Sequence, residues 1–284
     1  MEVLVAQKHG FCLGVKNAIK LARETLSDKK EVYSLGPIIH NEDVVEELAQ
    51  IGLKTVDTVD QIESGTVLIR SHGATIEQLE TIRQKGLQIA DATCVLVKRL
   101  QKISLNLNAE GYKVVIIGDE NHPEVQAVVG FAKNVAVIGS EKDLHKLSGH
   151  EKLGIISQTT QSPDHFAKMV AEIVKKGFSE LRVINTLCRE AIKRQESAVE
   201  LCKQVDIMFV LGGLNSANTK KLAELCKKQN KNTFHLQNAK ELDNKIFYGK
   251  KIVGVTAGAS TPDRVVEEFV GQLMAFDPAG DDCG

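Results

Sequence analysis

The chain has 284 residues, of which 43% are hydrophobic and 26% charged, and its formal net charge is −1. This composition is typical of a globular protein and offers no basic surface for nucleic acid; the 4% of aromatic residues also argues against base stacking. No apolar segment approaches the length of a membrane span, and the N-terminus lacks a secretory signal pattern. Six cysteines are too few for a disulfide scaffold, so we expect free thiols in a reducing, cytoplasmic setting.

The first third of the chain alternates short strands with helices. Residues 2–6 predict a short buried strand, and residues 10–15 place a cysteine between two glycines where this strand leads into a helix. Further strands, each ending in a polar turn before a helix, are predicted at 32–35, 66–69 and 87–90. A long helix is expected to begin at Val95.

The rest of the chain repeats this alternation. Strands are predicted at 114–117, 134–138, 153–156, 181–184, 207–211, 233–236 and 251–255. Helices are expected from Pro163, after Cys188, after the turn at 212–219 and after Pro262. Because strands and helices alternate throughout, the sequence predicts an α/β protein with mainly parallel sheets.

A coarse internal repeat divides this pattern. Residues 91–94 and 185–188 both read as an Asp or Asn followed, three positions later, by a cysteine at a strand end, and Cys12 occupies an equivalent place. A strand-end cysteine therefore recurs about every ninety residues. We expect three similar α/β lobes around a shared cavity, at 1–94, 95–187 and 188–278, with a frayed tail at 279–284.

The three strand-end cysteines indicate a soft metal centre. Taken alone, Cys12 fits an inert buried thiol as well as a functional one. Cys94 and Cys188 occupy equivalent strand-end positions, which favours a shared role for the three. The spacing does not fit a zinc finger, whereas a cubane iron–sulfur cluster held by three cysteines would leave one iron open for catalysis. Cys202 and Cys226 fall inside predicted helices and are interpreted as core residues.

Polar side chains at the other strand ends could bind an anion or move a proton. Candidates for a phosphate-bearing ligand are His40, His72 and His122, together with the turns at 215–218 and 258–261. Glu124 could deliver protons and residues 157–160 could form a hydroxyl relay. Each has a plainer alternative: a structural histidine, a helix N-cap, or a solvated surface glutamate.

An ordered set of short motifs lies at residues 10–15, 39–41, 71–73, 91–94, 122–124, 157–160, 185–188, 194–196, 215–218 and 256–260. No single motif is decisive, but their order is specific. Together they resemble the IspH/LytB family of hydroxymethylbutenyl diphosphate reductases over essentially the whole chain.

This resemblance implies a trefoil of three α/β lobes around one [4Fe-4S] cluster, in which one iron is not ligated by protein. It implies reductive removal of the allylic hydroxyl of 4-hydroxy-3-methylbut-2-enyl diphosphate, the last step of the non-mevalonate isoprenoid pathway. By position, Cys12, Cys94 and Cys188 would hold the cluster, and Glu124 would donate a proton with Thr159 in the relay. The substrate would be bound by His40, His72, His122, Thr159, Ser216, Asn218 and Ser260. A ferredoxin or flavodoxin would supply electrons.

The sequence also departs from the family pattern. Ala217 stands where a second serine is usual, Val95 replaces a proline, and residues 190–192 differ after the third cysteine. A divergent paralogue with an altered substrate therefore stays open. Another three-cysteine [4Fe-4S] enzyme of the dehydratase type is a second alternative. A non-catalytic iron–sulfur or redox-sensing protein is a third, although it gives the histidine and serine set no role.

Overall fold

The computed structural model describes residues 1–29, 31–147, 152–239, 242, 246 and 249–275. Its strands form three four-stranded sheets, and every strand pair is parallel. The predicted α/β class with three similar lobes is therefore confirmed. By compactness the chain divides into unit 1 (residues 1–13, 40–43 and 189–284) and unit 2 (residues 14–39 and 44–188).

Unit 2 contains two of the sheets. In chain order the first has strands β2 (Val32–Leu35), β3 (Leu53–Val56), β4 (Thr66–Ile69) and β5 (Gln88–Asp91), arranged β3-β2-β4-β5. Its helices are α1 (Leu13–Asp28), α2 (Glu42–Gln50) and α3 (Ile76–Gln84). Strand β4 is buried along its whole length, as the run of β-branched and aliphatic residues predicts for an interior parallel strand. The short strand β3 was not predicted, since two of its four residues are polar and exposed.

The second sheet of unit 2 has strands β6 (Lys113–Ile117), β7 (Val135–Ile138), β8 (Lys152–Ser157) and β9 (Glu180–Val183), arranged β7-β6-β8-β9. Its helices are α4 (Val95–Ala109), α5 (Pro123–Val129) and α6 (Pro163–Val174). Leu107 of α4 packs so closely on β8 that a Cβ added at Gly154 would lie 2.7 Å from its side chain. The glycine in β8 thus lets this helix approach the sheet.

Unit 1 contains the third sheet, with strands β1 (Glu2–Val5), β10 (Ile207–Leu211), β11 (Thr233–Leu236) and β12 (Ile252–Ala257), arranged β1-β12-β10-β11. Its helices are α7 (Arg189–Cys202), α8 (Ala217–Gln229) and α9 (Asp263–Ala275). Phe209 of β10 and Phe269 of α9 are fully buried, with ring centroids 5.1 Å apart. Burial of each such side chain contributes about 1.5–3 kcal/mol to folding.

Strand β1 differs from the sequence expectation. It is an edge strand beside β12, and its two end residues, Glu2 and Val5, are exposed, so the prediction of a buried strand is wrong. The first strand of the chain thereby joins the sheet made by the last third, because pairing depends on tertiary contacts rather than on nearness in sequence. The lobe boundaries at residues 94, 187 and 278 stay a prediction, and the predicted tail at 279–284 lies outside the described residues.

Candidate functional site

The three strand-end cysteines share one backbone arrangement. Each cysteine amide donates a hydrogen bond to a carbonyl in the turn that follows a neighbouring strand. The pairs are Cys12 N–Ala259 O at 3.2 Å, Cys94 N–Ser71 O at 3.0 Å and Cys188 N–Thr159 O at 2.8 Å. These same turns carry Ser260, His72 and Thr159, which the sequence predicts to bind substrate. Each cysteine is thus fixed by a loop that also carries a candidate binding residue.

The cysteine thiols have the exposure that ligand binding requires. Cys12, Cys94 and Cys188 are half-buried and form no disulfide bond, and each is the residue immediately before a helix. The positive end of a helix stabilises a thiolate. Within the described residues, no three His, Cys, Asp or Glu side chains come close enough together to bind a single metal ion.

The repeated Asp/Asn-x-x-Cys motif has a local structural cause. The Asp91 carboxylate accepts a hydrogen bond from the Thr93 amide at 2.9 Å, and the Asn185 side-chain oxygen accepts one from the Leu187 amide at 3.0 Å. Both are turns in which a short polar side chain caps the backbone two residues later. The motif therefore shapes the turn that presents the cysteine.

The turn before Cys12 depends on glycine instead. Gly10 has a φ of 68°, and a Cβ there would lie 2.5 Å from a carboxylate oxygen of Asp263. Its amide donates to the carbonyl of Ala257 at the end of β12. Only glycine adopts this backbone conformation freely and leaves room for the neighbouring carboxylate.

The remaining cysteines do not belong to these turns. Cys202 of α7 and Cys226 of α8 are both buried in one hydrophobic cluster with Ala198 and Leu222. Their interpretation as core residues is confirmed. Cys283 lies outside the described residues.

Glu124 forms a buried pair with Thr159 in unit 2. One carboxylate oxygen of Glu124 accepts from the Thr159 amide at 2.6 Å, and the other is 2.7 Å from the Thr159 hydroxyl. Glu124 is only 3% exposed and lies in the first turn of α5. The alternative of a solvated surface glutamate is therefore wrong. The helix was missed because its seven residues are too few to show a helical period.

Burial controls the protonation of this carboxyl group. It raises the pKa of Glu124, while the two hydrogen bonds from Thr159 oppose that rise. The carboxyl group consequently holds its proton to a higher pH than an ordinary glutamate does. In the protonated form it can donate to the Thr159 hydroxyl, whose own proton is then free to pass onward.

His122 is the N-cap of α5, and its hydrogen bond to the helix determines which ring nitrogen carries the proton. The Glu124 amide donates to Nδ1 of His122 at 3.2 Å, so the neutral imidazole carries its proton on Nε2. The ring of His72 meets that of His122 edge to face, with centroids 5.7 Å apart. Unit 2 thus brings His72, His122, Glu124 and Thr159 into one connected group, which we call the acid group.

Unit 1 assembles a second set of predicted residues around His40. The Ser260 hydroxyl donates to the His40 carbonyl at 3.2 Å. A Cβ added at Gly213 would lie 2.6 Å from the same carbonyl, so the turn after β10 packs directly on His40. The Ser216 amide donates in turn to the Gly213 carbonyl. His40, Ser216 and Ser260 therefore lie on turns that touch one another.

The start of α8 adds buried polar atoms to this set. Ser216 is the N-cap, and its hydroxyl accepts from the Thr219 amide at 3.4 Å, so the N-capping alternative holds for this residue. Among the described residues, Nδ2 of Asn218 and Oγ1 of Thr219 are buried without a hydrogen-bond partner. Unsatisfied groups beside a helix N-terminus suit an anionic ligand. We call His40, Ser216, Asn218 and Ser260 the polar cradle.

Gln158 supports the loop around Thr159, a role that the sequence did not predict. Gln158 is 1% exposed, and its side chain accepts from the Asp119 amide and donates to the Thr160 hydroxyl, which holds the loop around Thr159. Capping of α6 falls to Ser162 rather than to residues 157–160, since the Ser162 hydroxyl accepts from the His165 amide. The sequence offered one indication of this supporting role, since Gln158 directly precedes the candidate residue Thr159.

Comparison with known proteins now identifies the family. The model of the LytB protein family matches residues 3–274. The chain belongs to the LytB family. A curated LytB relative from Geobacter metallireducens, named 4-hydroxy-3-methylbut-2-enyl diphosphate reductase, is 44% identical over 280 residues, which cover 98% of this chain and 99% of the relative.

Solved structures of the LytB family agree in fold. One, of (E)-4-hydroxy-3-methyl-but-2-enyl diphosphate reductase, the terminal enzyme of the non-mevalonate pathway, has a TM-score of 0.71 and 40% identity, covering 97% of this chain and 100% of that one. Another, the E-1-hydroxy-2-methyl-but-2-enyl-4-diphosphate reductase of Plasmodium falciparum, has a TM-score of 0.91 and 26% identity, covering 98% of this chain and 88% of that one. The predicted family is confirmed, and these relatives bear the name of the predicted enzyme.

The structure also bears on the membrane. No helix in the described part of the chain combines the length and the apolar character that crossing a bilayer requires.

Proposed function

We propose that this LytB-family chain reductively removes the allylic hydroxyl of 4-hydroxy-3-methylbut-2-enyl diphosphate. Two electrons and two protons enter, the C–O bond breaks, a C–H bond forms, and water leaves with isopentenyl or dimethylallyl diphosphate. The names of the relatives support this substrate. The observation that carries the proposal is the buried Glu124–Thr159 pair.

The acid group supplies the proton. Burial raises the pKa of Glu124, and its carboxyl group lies against the Thr159 hydroxyl, so a proton can leave Thr159 while Glu124 replaces it. Both side chains are buried, which shields them from bulk water. We assign Glu124 and Thr159 as the catalytic residues, with Thr159 also contacting the substrate.

The polar cradle would hold the diphosphate. His40, Ser216, Asn218 and Ser260 offer hydrogen-bond donors at turns, and His72 and His122 would add imidazole N–H groups. Asn218 supports this role because its Nδ2 is buried without a partner among the described residues and would gain one from a phosphate oxygen. Ala217 is the first residue of α8 and lacks the hydroxyl of the usual serine, but it keeps its backbone N–H.

We further propose that Cys12, Cys94 and Cys188 hold a [4Fe-4S] cluster with one iron not ligated by protein. The donor set fits, since all three cysteines are outside disulfide bonds, half-buried and next to helix N-termini. Each thiolate of a cubane binds a different iron, so the ligands need not approach as those of one ion do. When bound, the cluster would supply electrons and Lewis acidity. A ferredoxin or flavodoxin as the one-electron donor and a cytoplasmic location stay predictions.

Anaerobic purification tests the proposal. We expect a brown protein that contains iron and sulfide and converts the diphosphate substrate when an artificial reductant is added. A colourless, iron-free protein would contradict the cluster. An iron-loaded protein inactive on this substrate would favour the divergent paralogue or the dehydratase-type alternative.

The variant Glu124→Gln tests the acid. Its amide can keep both hydrogen bonds to Thr159 but cannot donate an acidic proton, so we expect cluster content like that of wild type and turnover lower by about 100- to 10,000-fold. Glu120→Gln, at an exposed residue four positions earlier, is the matched control and should turn over normally. Wild-type turnover by Glu124→Gln would show that the proton comes from elsewhere.

A further inference from the structure

Helix α7 carries a buried arginine that the proposed function does not use. Arg194 is 5% exposed, although arginine is among the residue types that are almost never fully buried unless paired. Its guanidinium remains charged in proteins. Burial of this charge is costly, so its position calls for a role.

The contacts of Arg194 point to the turn before Cys12. Its Nη2 donates to the carbonyl of Gly10 at 2.9 Å, and its Nη1 donates to the carbonyl of Glu190 one helical turn earlier at 3.3 Å. The guanidinium is therefore anchored at one end to its own helix and at the other to the cysteine turn. Planar, two-point attachment of this kind fixes a charge in place.

Hydrogen bonds from two directions hold the Gly10–Cys12 turn. The Gly10 amide donates to Ala257 O and the Cys12 amide donates to Ala259 O, so β12 and its turn hold one side. Arg194 donates to Gly10 O from α7, and this donor is charged. Hydrogen bonds from charged donors are about twice as strong as neutral ones.

We propose that Arg194 is a positioning residue that fixes the Cys12 turn and stabilises the reduced state of the cluster bound there. Reduction adds negative charge, and a fixed positive charge nearby favours the reduced form and raises the midpoint potential. The inference rests on the proposed function, because it presumes that Cys12 ligates a cluster.

Three substitutions separate the hydrogen bond from the charge. Arg194→Gln keeps a donor for Gly10 O but removes the charge, Arg194→Lys keeps the charge with a single donor group, and Arg194→Met removes both. Lys193→Met is the matched control, since it removes an exposed cation from the adjacent position of the same helix.

The measurements are iron and sulfide content after anaerobic reconstitution, the midpoint potential by redox titration followed by electron paramagnetic resonance, and the thermal unfolding midpoint. We expect Arg194→Gln to load iron as wild type does but to have a lower midpoint potential. Arg194→Met should have the lower potential and also retain iron about 10- to 100-fold more weakly. Arg194→Lys should restore the potential, and Lys193→Met should leave both quantities unchanged.

A midpoint potential of Arg194→Gln equal to that of Lys193→Met would overturn the inference, because a merely structural arginine moves stability and not potential. If Arg194→Met does not fold, the Gln and Lys pair decides the question on the same criterion. A wild-type protein that takes up no iron overturns the proposed function and this inference together. An iron-loaded wild type with unchanged potentials in the variants overturns this inference alone.

Discussion

Glu124 in unit 2 and Asn218 in unit 1 differ in how far the protein itself satisfies their polar atoms. In the acid group of unit 2, both carboxylate oxygens of Glu124 are hydrogen-bonded to Thr159, and Nδ1 of His122 is occupied by a backbone amide. In the polar cradle of unit 1, Nδ2 of Asn218 is buried without a partner among the described residues.

This difference separates two kinds of chemistry. A proton donor must be held in one geometry with a tuned pKa, so its partners are built into the protein. A binding site for an anion can leave donors unsatisfied until the ligand arrives, at a cost of about 1–3 kcal/mol for each group. This contrast supports our proposals that the Glu124–Thr159 pair of unit 2 transfers the proton and that Asn218 of unit 1 binds the diphosphate.

The largest effect is expected from the cysteine in unit 1. Cys12→Ser should lose most of the iron and all measurable turnover, because a serine hydroxyl is a poor ligand for a soft metal. Cys226→Ser, the same change at a buried core position of unit 1, should keep its iron. Iron and sulfide analysis of both variants makes the test. Equal iron content in the two variants would mean that unit 1 supplies no ligand.

An intermediate effect is expected from the unsatisfied amide of the polar cradle. Asn218→Ala should raise KM by about 10- to 100-fold, equivalent to one hydrogen bond to a charged group, while kcat changes little. Its stability should not fall, since the lost amide has no partner in the free protein among the described residues. Asn106→Ala, at an exposed position of α4, is the control for kinetics and unfolding. An unchanged KM for Asn218→Ala would remove this residue from the diphosphate site.

The smallest effect is the pH dependence of stability in unit 2. Burial raises the pKa of Glu124, so its favourable contribution is fully present below the ordinary glutamate pKa and is lost as pH rises through the raised folded value. Glu124→Gln does not titrate. Its stability relative to wild type should grow by about 1.4 kcal/mol for each pH unit between those two pKa values. Denaturant unfolding across this pH range measures the gap, and a constant gap would show that Glu124 ionises freely.

Much of the fold was readable from local pattern. Parallel strands buried on both faces, such as β4 and β6, are continuous apolar runs, and α4 was predicted to begin at Val95 because a polar turn and a cysteine precede it. Strand β3 was not predicted because two of its four residues are polar and exposed, and helix α5 was not predicted because its seven residues are too few to show a helical period. The edge position of β1 also escaped prediction, since pairing with β12 joins residues from opposite ends of the chain.

The candidate residues were likewise found by type and order. The sequence named Glu124 and Thr159 separately, but only the folded chain shows the carboxylate buried against the threonine amide and hydroxyl. It also contained Arg194 within a family motif without giving it a role, because nothing local reveals that its guanidinium reaches Gly10. Contacts between residues far apart in sequence are set by packing and leave no local pattern.

The sequence by itself determined the α/β class, the family and the residue types that carry the chemistry, because strand ends and turns have local signatures. Only the tertiary structure decided which of the described buried polar groups have hydrogen-bond partners within the protein and which do not. The physical reason is that burial and hydrogen bonding determine the pKa of Glu124 and leave Nδ2 of Asn218 unsatisfied among the described residues. Burial and hydrogen bonding in turn depend on chain segments that folding brings together.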